Sequence, residues 1–83
     1  MVAKKQITLL GATGSIGQSA LALVRQNPQQ FGVHALVAGE NYQGLAELAR
    51  EFHPKIIGIH DKSKHSDLLN LVGDLGCDVV AGE

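Results

Sequence analysis

Three glycines spaced three residues apart, Gly11, Gly14 and Gly17, are the feature that most constrains how this chain can fold. An apolar run at residues 7–10 precedes them, and residues 15–26 carry apolar side chains at helical spacing. Where a strand turns directly into a helix, the amides of the first helical turn have no backbone partners, and the helix dipole makes that end positive. A diphosphate group binds well at such a position. The segment therefore predicts a nucleotide-binding turn.

Each glycine has its own predicted role in the turn. Gly11 lets the chain leave the strand sharply, Gly14 lets the backbone approach a ligand, and Gly17 lets the new helix lie against the sheet. The pattern G-x-x-G-x-x-G differs from the usual dinucleotide fingerprint, G-x-G-x-x-G, so the interpretation depends on the strand before it and the helix after it. Thr13 and Ser15 add hydroxyl donors. The alternative, a turn that needs glycines only for its geometry, would not require these hydroxyls.

The composition is that of a soluble globular chain, with 45% hydrophobic and 18% charged residues in a length of 83. This length suits one domain at most. The net charge of -1 provides no basic patch, so we expect no nucleic-acid partner and no membrane partner. The apolar run before Gly11 is too short for a signal peptide or a membrane span, and we expect a cytoplasmic location.

Apolar runs and helical patterns alternate along the chain. Pro28 predicts the end of the first helix, Asn41 predicts an N-cap for the second, and Asp61 or Ser63 predicts an N-cap for the third. The predicted strands lie at residues 6–10, 33–38, 55–59 and 77–80. This alternation predicts an α/β fold with a Rossmann-like, doubly wound parallel sheet and right-handed crossovers.

We predict the strand order 3-2-1-4 for this sheet, which places the first two helices on one face and the third on the opposite face. The sheet would then be incomplete, because the fourth strand has an open edge and one face is largely uncovered. Residues 1–83 are therefore predicted to be the N-terminal portion of a dinucleotide-binding domain. The remainder of that domain and the catalytic domain are predicted to be absent from this chain.

Most of the first sixty residues also resemble a known enzyme family. The shared features include the glycine turn, the Asn27-Pro28 stop of the first helix and the Ala-Gly-x-Asn sequence that ends the second strand. The matching residues are 7–17, 19–21, 24–25, 27–28, 31 and 35–39. They closely resemble the start of 1-deoxy-D-xylulose 5-phosphate reductoisomerase. Beyond Asp61 the resemblance depends mainly on the order of the elements.

The resemblance implies an enzyme of non-mevalonate isoprenoid biosynthesis. Such an enzyme rearranges and reduces its sugar phosphate to 2-C-methyl-D-erythritol 4-phosphate, using NADPH and a divalent metal, magnesium or manganese. The full-length protein would be a homodimer. Carried over by position, the residues at the cofactor diphosphate would be Thr13, Gly14, Ser15 and Ile16, and those at the adenosine ribose would be Gly39, Glu40 and Asn41.

The sequence predicts no catalytic residue and no metal ligand within this chain. The four histidines lack the compact spacing of metal ligands, and no two carboxylates have a spacing that suggests general acid–base catalysis. In the resembled family, the metal-binding acids and the residues that hold the substrate phosphate lie farther along the sequence. We therefore expect this chain alone to be inactive.

Glu40 is the position at which the residues and the resemblance disagree. An acidic side chain at the end of the second strand commonly binds the ribose hydroxyls of NAD, whereas the 2'-phosphate of NADP favours a basic partner. NADPH is still the predicted cofactor.

Two other functions stay open: a different NAD(P)-dependent oxidoreductase or epimerase with a GxxGxxG turn, and a non-enzymatic nucleotide-binding module.

Overall fold

The computed structural model describes residues 5–82, in which strands and helices alternate. The strands are β1 (Lys5–Leu10), β2 (Phe31–Ala38), β3 (Ile56–Ile59) and β4 (Asp78–Ala81). The helices are α1 (Ser15–Gln26), α2 (Tyr42–Phe52) and α3 (His65–Val72), and a 3₁₀ turn at Lys62–Lys64 precedes α3. The predicted alternation is confirmed, and the observed strand bounds differ from the predicted ones by no more than 2 residues.

Local side chains explain where these elements begin and end. Asn41 caps α2, because its side-chain oxygen accepts a hydrogen bond from the amide of Gly44 at 2.9 Å. Asp61 caps the 3₁₀ turn by accepting a hydrogen bond from the amide of Ser63 at 3.0 Å. Helix α2 ends at His53, which adopts a left-handed conformation with φ of 50°. The cap predicted at Asn41 is confirmed, whereas the prediction that Asp61 or Ser63 caps the third helix is wrong: Asp61 caps the 3₁₀ turn, and the N-cap position of α3 is Lys64.

The strand order is β1-β2-β3-β4, so the predicted order 3-2-1-4 is wrong. All the pairings are parallel, and β4 lies beside β3, where Ile57 pairs with Val79. The difference arises in the connection from β3 to β4. Its helix, α3, packs beside α2 instead of lying on the opposite face of the sheet. Arg50 of α2 donates hydrogen bonds to the carbonyl of Leu71 in α3 and to the carboxylate of Asp74 just after it.

All three helices therefore cover the same face of the sheet, and the prediction that α3 covers the opposite face is also wrong. Right-handed crossovers that all step in one direction place their helices on one side. Arg25 of α1 also binds Glu51 of α2, with Nη2 and Oε1 2.8 Å apart. The helices and this face of the sheet share one hydrophobic core. Its largest fully buried side chains are Leu21, Leu36, Leu45, Ile57, Ile59, Leu68 and Val72.

The opposite face of the sheet carries no helix within residues 5–82. Leu10, Val37, Gly58 and Val80 occupy paired positions in the four strands, and they form an apolar row across this face. Leu10 is 77% exposed and Val80 is 52% exposed. β4 lies at an edge of the sheet, as predicted, but β1 occupies the other edge although it was predicted to lie inside.

Candidate nucleotide-binding site

The glycine turn connects the carboxyl end of β1 to the start of α1. Gly11 has φ of +68°, a conformation that favours glycine, and its carbonyl accepts a hydrogen bond from the amide of Gly14 at 2.9 Å. The buried Ala12 donates its amide to the carbonyl of Val37 at 2.9 Å. This bond holds the turn against the carboxyl end of β2. The two segments predicted to bind the cofactor therefore follow adjacent strands.

Gly17 and Gly14 differ in what the fold requires of them. A Cβ atom at Gly17 would lie 2.5 Å from the carbonyl oxygen of Gly11 and 2.7 Å from that of Ala12, so a side chain does not fit there. A Cβ atom at Gly14 would come no closer than 3.4 Å to the Gly11 oxygen, which is an ordinary contact. The φ of Gly14 is -81°, which other residues also adopt. Packing therefore explains glycine at position 17 but not at position 14.

The first turn of α1 presents amide donors that have no backbone acceptor among residues 5–82. The first backbone bond of the helix runs from the amide of Gln18 to the carbonyl of Gly14, and the amides of Ser15, Ile16 and Gly17 make none. Gly14, at the N-cap, has no side chain to accept from them, and the first turn contains no acidic residue. The positive end of the helix dipole is therefore available to an anion.

The side chains around this helix start are accessible to a ligand. Ser15 is exposed and Thr13 is half-buried. Ile16 is 86% exposed, and Leu10, the last residue of β1, is 77% exposed. Accessible apolar side chains beside free amides suit a ligand that has both a charged part and an apolar part.

The second predicted segment, Gly39 to Asn41, follows β2. Gly39 and Glu40 are exposed, and a Cβ atom at Gly39 would meet no other atom within 4 Å. Asn41 is exposed, but its side-chain oxygen caps α2. A Cβ atom at Gly44 would lie 2.7 Å from Asn41 Nδ2, so Gly44 leaves room for the capping side chain. Only the Nδ2 group of Asn41 is left to donate to a ligand.

A pocket of about 520 Å³ opens beside Glu40, at the carboxyl ends of β2, β3 and β4. Backbone hydrogen bonds join its walls: the amide of Asp61 donates to the carbonyl of Gly39, and the amide of Gly82 donates to that of Ile59, both at 3.0 Å. The lining residues are Glu40, His60, Asp61, Lys62, Ser63 and Gly82.

Asp61 is tied into the 3₁₀ turn at the edge of this pocket. Its Oδ1 atom accepts a hydrogen bond from the hydroxyl of Ser63 at 2.6 Å and another from the Ser63 amide at 3.0 Å. These hydrogen bonds lower the pKa of Asp61, and the charges of Lys64 and His60 lower it further. Asp61 is thus an anion at neutral pH, and its bonds to Ser63 set the conformation of the segment that carries Lys62.

The structure places His60, Lys62 and Ser63 around the same pocket as Glu40, although none of them was predicted to belong to a site. The only signal in the sequence was their position after the third strand. Because the carboxyl ends of parallel strands meet at one edge of the sheet, residues that follow β3 lie near those that follow β2. Predicting that Lys62 lines this pocket would have required knowing which strands flank β3.

Among residues 5–82, no group of three or more His, Cys, Asp and Glu side chains is arranged to hold a metal ion. The histidines lie on separate elements, and the ring Nε2 of His65 lies 3.3 Å from the carbonyl oxygen of Val79. In the same part of the chain, no helix has the length and apolar character needed to cross a membrane.

A glycine turn between a strand and a helix, at the carboxyl edge of a parallel sheet, places this chain among the Rossmann-like α/β proteins. The profile of one family, 1-deoxy-D-xylulose 5-phosphate reductoisomerase, matches residues 7–83. The chain belongs to this family, which confirms the resemblance found in its first sixty residues.

Individual relatives agree with this assignment. A 1-deoxy-D-xylulose 5-phosphate reductoisomerase from Desulfitobacterium hafniense (strain Y51) is 49% identical over 78 residues, which cover 94% of this chain and 20% of the relative. The solved structure of the reductoisomerase from Zymomonas mobilis in complex with NADPH has a TM-score of 0.92 and 36% identity, covering 99% of this chain and 22% of that one.

A crystal structure of DOX-P reductoisomerase in complex with NADPH, fosmidomycin and magnesium has a TM-score of 0.90 and 37% identity. The alignment with that structure covers 95% of this chain and 20% of the other chain. This chain thus spans about a fifth of the length of the relatives it matches.

Proposed function

We propose that this chain is the N-terminal portion of the dinucleotide-binding domain of an NADPH-dependent 1-deoxy-D-xylulose 5-phosphate reductoisomerase. The full-length protein would rearrange and reduce its sugar phosphate to 2-C-methyl-D-erythritol 4-phosphate in non-mevalonate isoprenoid biosynthesis. Membership of the family supports this activity. Two similar solved structures, both described as complexes with NADPH, support the cofactor.

The geometry at Gly14 is the observation that carries the proposal. Neither its φ nor its packing requires glycine, yet it lies next to the three amides at the start of α1 that have no backbone acceptor in residues 5–82. A diphosphate must approach these amides closely, and a side chain at position 14 would occupy part of that approach. The residues present therefore fit the diphosphate of a dinucleotide.

The proposed contacts at the diphosphate follow from the groups that are free. The amides of Ser15 and Ile16 donate hydrogen bonds to the phosphate oxygens, and the hydroxyls of Thr13 and Ser15 add two further donors. The exposed side chain of Ile16 packs on the apolar part of the ligand. NADPH, when bound, supplies the hydride for the reduction.

The proposed contacts at the adenosine ribose come from the end of β2. The open space at Gly39 lets the ribose approach the backbone, and the Nδ2 group of Asn41 donates to a ribose oxygen. Glu40 accepts a hydrogen bond from a ribose hydroxyl when its side chain is turned toward the ligand.

Chemistry on the sugar phosphate is proposed for parts of the full-length protein outside residues 5–82. Magnesium or manganese is the proposed metal, and a similar solved structure is described as containing magnesium. Homodimeric assembly and a cytoplasmic location stay predictions.

The test is a Gly14→Val variant of the full-length protein, titrated with NADPH. We expect the affinity for NADPH to fall by at least about tenfold, because the branched side chain excludes the diphosphate, while the melting temperature changes little. Gln18→Val is the matched control, since Gln18 is exposed on the same helix but its amide is already bonded to the carbonyl of Gly14. If Gly14→Val lowers the melting temperature and leaves the affinity unchanged, the glycine serves turn geometry alone and the proposal fails.

A further inference from the structure

The pocket at the carboxyl ends of β2, β3 and β4 is lined by two carboxylates, those of Glu40 and Asp61, and by the ammonium group of Lys62. Glu40 follows β2, and Lys62 is the first residue of the 3₁₀ turn after β3. Both residues are exposed, and no ion pair within residues 5–82 includes either of them. The pocket of about 520 Å³ thus holds a carboxylate and an ammonium group that do not neutralise each other directly.

The pocket begins where the adenosine ribose of a dinucleotide would lie. In this type of fold the diphosphate rests on the first turn and the ribose reaches the carboxyl end of the second strand. The bond from Ala12 to Val37 holds the turn against β2, and the bond from Asp61 to Gly39 holds the segment after β3 against the end of β2. A group attached to the ribose near Glu40 would therefore meet the pocket on the β3 side.

Glu40 by itself disfavours a phosphate at this place. A carboxylate and a phosphate carry charges of the same sign, and their repulsion at short distance weakens binding. The other carboxylate of the pocket, Asp61, is engaged by the two hydrogen bonds from Ser63. A nearby cation is therefore needed if the pocket is to accept a phosphate.

Lys62 is positioned to supply that cation. A Cβ atom at Gly82 would lie 2.7 Å from Lys62 Cε, so the lysine side chain runs along the pocket wall in space that Gly82 leaves free. Lys64 is engaged elsewhere, because its Nζ atom lies 5.8 Å from the centroid of the Tyr42 ring. Lys62 is thus the lysine that lines the pocket.

We infer that Lys62 binds the 2'-phosphate of NADPH, offsets the charge of Glu40 and is a specificity-determining residue for NADPH over NADH. This inference rests on the proposed function, because it places the ribose of the cofactor beside Glu40. The ammonium group of Lys62 donates hydrogen bonds to the phosphate oxygens, and NADH has no group to receive them.

The experiment measures dissociation constants of NADPH and NADH for the full-length protein and its Lys62→Gln variant, by the change in nicotinamide fluorescence on binding. We expect Lys62→Gln to weaken NADPH by about tenfold and to change NADH by less than about twofold. Lys62→Arg keeps the charge and should retain the preference for NADPH. Lys55→Gln is the matched control, since Lys55 is an exposed lysine that precedes β3, at the opposite end of the strand.

The outcomes separate this inference from the proposed function. If the unaltered protein binds NADPH but Lys62→Gln leaves that affinity unchanged, or weakens NADPH and NADH equally, the role of Lys62 is overturned and the proposed function stands. If the unaltered protein binds neither dinucleotide, the proposed function fails and this inference fails with it.

Discussion

A Cβ atom added at Gly17 would lie 2.5 Å from the carbonyl oxygen of Gly11. Gly17, in the first turn of α1, therefore packs directly against Gly11, the residue that follows β1. Gly14, between them in sequence, is exposed and has no comparable restriction. The structural and ligand-binding roles of the three glycines can thus be separated by substitution.

Gly17→Ala is expected to destabilise the full-length protein by about 1 to 3 kcal/mol, because the added methyl group overlaps backbone atoms of Gly11 and Ala12 and the backbone must shift to relieve the overlap. Chemical denaturation gives the free energy of unfolding. Gly39→Ala is the control, since a Cβ atom there meets nothing within 4 Å. Equal stabilities of the two variants would contradict a packing role for Gly17.

Asn41→Ala is expected to cost about 1 kcal/mol of stability, because the amide of Gly44 loses the side-chain oxygen that caps α2. Asn41→Asp keeps an acceptor at the same place and should preserve most of the stability. Urea unfolding of both variants measures the difference. A loss in the aspartate variant as large as in the alanine variant would show that the cap is not the cause.

Glu40→Lys is expected to tighten NADPH more than NADH. If the carboxylate lies about 4 Å from the 2'-phosphate, its removal relieves on the order of 1 to 4 kcal/mol of repulsion, which is about fivefold or more in affinity. Michaelis constants of the full-length enzyme for both cofactors measure the effect, with Glu47→Lys as a control on the exposed side of α2. An unchanged ratio of the two constants would mean that Glu40 points away from the ribose.

The ion pair between Arg25 and Glu51 should make stability depend on pH. The hydrogen bond from Arg25 lowers the pKa of Glu51. The ion pair therefore contributes to the free energy of unfolding above the ordinary glutamate pKa, and this contribution is lost as the pH falls through the lowered pKa. Both side chains are more than 40% exposed, which limits the contribution to about 0.5 kcal/mol.

Glu51→Gln should therefore be less stable than the unaltered protein at pH 7, and the difference should disappear at an acidic pH below the lowered pKa of Glu51. Urea unfolding at the two pH values measures it, with Glu47→Gln as the control on the same helix. A difference that stays constant with pH would contradict the role of the pair.

The 83-residue chain alone is expected to show no reductoisomerase turnover. Within residues 5–82 no cluster of side chains is arranged to hold a metal ion, and binding of the nucleotide alone does not position a sugar phosphate. Oxidation of NADPH in the presence of substrate and magnesium or manganese is the measurement, and the full-length protein is the control. Oxidation by the short chain that requires both substrate and metal would refute this expectation.

Much of the local structure could be predicted because it depends on neighbouring residues. The cap at Asn41 needs only its own side chain and the amide of Gly44, and Pro28 ends α1 through its own backbone. The predicted site segments, residues 13–16 and 39–41, do follow two adjacent strands, although the predicted strand order was wrong. Lys62 could not be predicted, because its place in the pocket depends on how β2, β3 and β4 lie side by side.

The sequence by itself determined the kinds and order of the elements, the glycine turn and the family. Only the tertiary structure decided that β4 lies beside β3 and that all three helices share one face. The physical reason is that β3 is apolar on both sides: Ile57 and Ile59 face the helices, while Ile56 and Gly58 face the other way. A helix with one apolar stripe can pack on either face of such a strand, so the direction of the third crossover depends on contacts with α2, among them those of Arg50.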